Sequence, residues 1–169
     1  HTTEMTAQPT RFKRGNDWLA IDRALATRGD GSVAPKAVAD DVALSGGGDA
    51  PLIRMTAGTA ELALRWPTAL PKPVLSGDSA TYPEVFPGVD LVVRAQVTGY
   101  QQLLVVKTAE AAKNPALARV QLRVAAKGVK VSVDKTGALQ ALDDKQQVMF
   151  ASPASEMWDA KSRHAKVGV

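Results

Sequence analysis

Tyr82-Pro83-Glu84-Val85-Phe86-Pro87-Gly88-Val89-Asp90-Leu91-Val92-Val93-Arg94-Ala95-Gln96-Val97-Thr98-Gly99-Tyr100-Gln101-Gln102-Leu103-Leu104-Val105-Val106-Lys107 is the stretch on which the fold turns. A rigid Pro/Gly lead-in precedes two apolar runs separated by Gly99, the outline of a β-hairpin. In the first run Val89, Leu91, Val93, Ala95 and Val97 share one face, while Asp90, Arg94, Gln96 and Thr98 share the other. That period of two marks a half-buried strand. The second run, 103–106, has no polar face and is expected inside the sheet, covered on both sides, rather than at an edge. Read outward from this hairpin, the chain is mostly β: an antiparallel sandwich of jelly-roll-like form.

The 169 residues fit one domain, large enough to bury about 70% of the surface of the unfolded chain. The expected organisation is a disordered lead or linker over 1–9, a single sandwich domain over 10–159 and a basic tail or linker over 160–169. The chain has no cysteine, which removes disulfides, thiol catalysis and Cys-ligated metals. No apolar run approaches the ~20 residues of a membrane-spanning helix, so no membrane insertion is expected. The net charge of +4 is spread singly along the strands, with local basic character only at Lys161, Arg163, His164 and Lys166. A nucleic-acid surface masses its cations and interleaves aromatics among them, so no nucleic-acid partner is expected.

Before the hairpin, short strands flank Gly15, with Trp18 read as a core anchor. Asp30-Gly31 turns a second hairpin between 24–28 and 32–38. Ser45-Gly46-Gly47-Gly48-Asp49 is read as a flexible connection. A phosphate-cradling loop requires a strand before it and, after it, a helix that starts with Lys or Ser, and this pattern does not follow here. Leu62, Leu64 and Trp66 alternate with polar or small residues in a further strand, which Pro67, Pro71 and Pro73 stop; 70–75 then crosses a sheet edge. After Lys107 the one helical stretch is 109–114, with Thr108 as its N-cap and Pro115 as its stop. Four short strands between 120 and 150 form a meander. In the lead-in, Pro87 presets the turn, Gly88 takes a positive φ and Asp90 bonds back to backbone N–H groups, fixing the register.

Catalytic constellations are weak. His1 and His164 fall in the two ends, which leaves a triad or a zinc site without an anchored imidazole. Asp40-Asp41 and Asp143-Asp144 are adjacent pairs, which point to opposite faces of a strand or are solvated in a turn. Serines lack both a Gly-x-Ser-x-Gly elbow and a Ser-x-x-Lys base. The expectation is a non-enzyme without cofactor or metal, an unrecognised hydrolase being the remote alternative. A carbohydrate-binding sandwich is the stronger alternative, with Trp66, Tyr82, Tyr100 and Trp158 as the rings available for stacking on a glycan.

Tyr82-x-x-Val85-x-Pro87-Gly88-Val89-Asp90-Leu91, the strand ending at Lys107, Asn114-Pro115 and Val133-Asp134-x-x-Gly137-x-Leu139 carry a resemblance. They are similar to a β-rich module near the N-termini of large exported bacterial proteins that continue into β-propeller-type, laminin-G-like or Rhs/YD-type repeats. The likeness to actinobacterial versions extends to Asp30-Gly31-Ser32-Val33-x-Pro35, the glycine run, Trp66-Pro67-x-x-Leu70-Pro71-x-Pro73 and Met157-Trp158-Asp159, and so covers roughly 17–159. It implies a secreted or cell-surface multidomain protein. A start at His1-Thr2-Thr3 fits a piece of such a chain. The resulting expectation is a non-catalytic structural or interaction module, docking on neighbouring domains or a surface partner at edge strands near the proline-rich segment 70–73.

Overall fold

Short runs of alternating side chains, many of them closed by Gly, Pro or Asp, give short antiparallel strands in the computed structural model, which describes residues 9–135, 138–154, 156–158 and 164–166. His1, Thr136, Gly137, Asp159, Lys161 and Arg163 lie outside the described residues. So do the lead over 1–9 except Pro9, and the tail over 160–169 except the strand His164–Lys166. Among the described residues no helix is long and apolar enough to cross a membrane.

The described residues within 1–55 and 63–124 form one compact unit, and those within 56–62 and 125–169 a second. In the first unit β1 (Arg11–Arg14) and β2 (Asp17–Ala20) make a ribbon around Gly15. β3 (Asp22–Thr27), β4 (Val33–Ala37), β5 (Asp41–Leu44), β6 (Ile53–Ala57) and β7 (Ala60–Arg65) follow in sequential order in one sheet. The tip of the β6–β7 hairpin belongs to the second unit. β8 (Val74–Ser76), β9 (Ser79–Phe86), β10 (Val89–Ala95) and β11 (Tyr100–Val106) form a four-stranded sheet, again in sequential order.

The first unit is sandwich-like because both sheets turn apolar rows onto one core. Leu25, Val33, Val42, Leu44 and Ile53 come from the first sheet, Ala80, Tyr82, Leu91, Val93 and Ala95 from the second. Loop residues Leu52, Trp66 and Leu70 complete the core. Of the expected inward row, Val89, Leu91, Val93 and Ala95 are buried on β10, while Val97 lies past the end of the strand and is half-buried.

Three expectations change. The stretch 109–114 is not an α-helix but a 3₁₀ turn, Ala111–Lys113, followed by a second, Pro115–Ala118. The Thr108 hydroxyl does accept from the Ala111 N–H, at 3.1 Å, and the Asn114 side chain starts the second turn by accepting from Ala116 N–H. Pro115 opens this turn rather than ending a helix, because at a first helical position its missing N–H costs nothing. The meander over 120–150 also divides. β12 (Arg123–Lys127) joins the sheet of β3 to β7, while β13 (Lys130–Val133), β14 (Leu139–Leu142) and β15 (Val148–Ser152) form their own three-stranded sheet. β16 (Glu156–Trp158) pairs with β17 (His164–Lys166).

Third, the glycine run is a packed joint, not a flexible connection. Ser45 is buried, its N–H donates to Leu52 O, and its hydroxyl accepts from Gly47 N–H at 3.0 Å. Gly48 and Leu70 exchange both backbone hydrogen bonds, at 2.8 and 2.9 Å. A Cβ on Gly46 would lie 1.9 Å from the Gly31 carbonyl oxygen, so backbone fills the space any side chain would need. The exchange with Gly48 fixes Leu70, at the head of the proline-rich segment, in the core.

Candidate functional site

The lead-in to the organising hairpin closes into a polar knot. Pro83 and Pro87 bracket a bulge, visible as a register shift between Val89 and Leu91, in which Glu84 has a φ of 52°. Non-glycine residues enter that region at a cost of about 1–2 kcal/mol, so something must hold it. The Asp90 carboxylate accepts from the Glu84 N–H at 2.9 Å, and the Glu84 carboxylate accepts from the Gly88 N–H at 2.8 Å. From the end of β11 the Lys107 ammonium donates to both, at 2.9 Å to Asp90 Oδ1 and in a close contact with Glu84 Oε1. Gly88 has a φ of 72°, and a Cβ there would come within 2.7 Å of Ala111 Cβ, so the turn is shut against the 3₁₀ segment. The expected roles of Gly88 and Asp90 are found here.

The electrostatics follow from this geometry. The Lys107 hydrogen bond, then that from Gly88 N–H, holds the Glu84 carboxyl below its usual range. For Asp90 the Glu84 N–H contributes most and Lys107 next. Hydrogen bonds to Glu84 and then Asp90 push the Lys107 ammonium up. All three groups therefore stay charged around neutrality and satisfy one another. A general base would need a free carboxylate and an amine nucleophile a neutral lysine, whereas this trio is a clasp tying β9, β10 and β11 together. Among the described residues no group of three or more His, Cys, Asp or Glu could hold a metal ion.

Of the four rings considered for a glycan platform, the three in the first unit are drawn toward its core. Trp66 is buried, with its centroid 5.7 Å from that of Phe86, and its Nε1–H has no hydrogen-bond partner among the described residues. Tyr82 is fully buried and its hydroxyl donates to Ser45 O at 2.7 Å; burial pushes that hydroxyl well above the usual tyrosine range. Tyr100 packs against the core, and burial pushes it up to about 12. Trp158 is 52% exposed on β16, in the second unit. Trp18, read from sequence as a core anchor, is instead 64% exposed. On β2 it alternates with Leu19, and it is Phe12, opposite Leu19, that supplies the buried ring.

The largest departure from the sequence reading is β11. It is the edge of its sheet, not an interior strand. Its register with β10 runs unbroken from Val89↔Val106 to Ala95↔Tyr100, which places Leu104 and Val106 on the core-facing row and Leu103 and Val105 on the other. Yet Leu104, Val105 and Val106 are 39%, 43% and 41% exposed. The core row of β10 thus continues one strand beyond its cover. The sequence did hold a signal for this: a strand needs a partner on each side to be interior, and the 3₁₀ segment with Asn114 and Pro115 cannot supply one. No family model, curated protein or solved structure matches this chain.

Proposed function

We propose that the chain is a non-catalytic interaction module of a larger exported bacterial protein, and that it docks a neighbouring domain of that protein along β11. One observation carries the reading: a seven-residue free edge with apolar side chains open on both faces. Natural edge strands are blunted by lysine, proline, bulges or short length, and β11 has none of these between Tyr100 and Val106. Its one cation, Lys107, lies past the end and is taken up by Glu84 and Asp90. An added strand would gain main-chain hydrogen bonds and bury Leu104, Val105 and Val106. The proline-rich segment, with Leu70 drawn into the core, is the weaker docking edge. The resemblance to modules of secreted and cell-surface proteins supports the same context.

Val105→Lys tests the reading. In the isolated chain it is expected to change stability by no more than about 0.5 kcal/mol, as for an exposed position. In the longer parent chain it should uncouple the module, which then melts separately at the temperature of the isolated chain. An equal loss in the isolated chain would make β11 part of the fold alone. An unchanged parent melt would remove β11 as the docking edge.

A further inference from the structure

The ribbon β1–β2 presents a second, independent surface. Residues directly opposite on paired strands share a face, so Arg11↔Ala20 and Lys13↔Trp18 set Arg11, Lys13, Trp18 and Ala20 on one side, all exposed. The other side holds the buried Phe12. There Arg14 is occupied: its guanidinium lies 5.2 Å from the Phe12 ring centroid and donates to Val38 O. Arg11 and Lys13 have no carboxylate partner among the described residues, and Asp17 pairs across the ribbon with Arg14 on the inner side. Among the described residues this exposed tryptophan and its two neighbouring cations gain neither apolar burial nor ion pairing.

We propose that this face binds an acidic polysaccharide. A sugar ring stacks on the Trp18 indole and extends over the small Ala20, while carboxylates along the glycan meet Lys13, directly across from the indole, and Arg11 two residues further along the strand, about 6.6 Å away. A single aromatic platform with two cations suits one or two uronate residues. A nucleic acid would require a longer cationic track along its phosphates than the two cations this face presents.

Isothermal titration of the 169-residue chain with a short oligogalacturonate tests the site. Binding that weakens with salt is expected, together with no binding of a neutral cello-oligosaccharide. Trp18→Ala and, separately, Lys13→Glu should each lower affinity about tenfold or more with an unchanged thermal melt. Both positions are exposed, so the variants remain folded. The proposal is overturned by absence of binding, by affinity that Trp18→Ala leaves intact, or by a single-stranded oligonucleotide binding as tightly as the glycan.

Discussion

Gly46→Ala is expected to prevent the first unit from folding, or to destabilise it by more than about 4 kcal/mol, a loss reserved for severe core or backbone conflicts. The added Cβ would sit 1.9 Å from the Gly31 carbonyl oxygen and 3.0 Å from its carbonyl carbon. Both are backbone atoms, so no side-chain rotation relieves the overlap. Movement of the 45–48 segment would also break the Gly48 exchange with Leu70 and shift Ser45 O away from Tyr82. Gly29→Ala is the matched control: a Cβ there meets nothing within 4 Å, and its effect should stay within about 0.5 kcal/mol. Urea unfolding of both variants measures the difference. Equal stability of the two would show that the glycine run is a loose linker after all.

Tyr82→Ala carries the next largest expected loss, about 3–5 kcal/mol, from deleting a buried aromatic side chain. Tyr82 is the largest fully buried side chain and contributes to the core shared by both sheets. Tyr82→Phe separates the ring from its hydroxyl. It keeps the packing but leaves Ser45 O without the 2.7 Å bond, for a loss of about 1–2 kcal/mol. Denaturant midpoints for the two variants should therefore fall in that order. A Tyr82→Phe loss as large as that of Tyr82→Ala would place the energy in the polar contact rather than in the core.

The period-two reading of 89–95 located the buried row because alternation reports which side of a strand is wet, and in β10 one side is. It misplaced β11, since continuous apolar sequence states that water is to be excluded without stating by what. Within this chain only Tyr100 and Leu103 are drawn even halfway in, and the following segment offers no strand to cover the others. Trp18 failed for a related reason: residue type alone assigns a tryptophan to the interior, but the pairing of Phe12 with Leu19 had already taken the inner side of the ribbon. The glycine run was legible as glycine and illegible as a joint. Its need for backbone hydrogens comes from Gly31, Pro71 and Lys72, partners distant in sequence. The Asp90 contact could be anticipated from the Pro-Gly turn before it, whereas Lys107 enters the same knot only through the β10–β11 register.

Residue-resolved hydrogen exchange along β10 and β11 tests the central claim most directly. In the isolated chain β11 should show alternate fast amides, those pointing away from β10, while β10 is slow throughout because it is paired on both sides. In the longer chain proposed as its parent, the fast amides of 100–106 should become slow as a docked segment takes their hydrogen bonds. Uniformly slow exchange of β11 in the isolated chain, or persistence of its fast amides in the parent, would contradict the account.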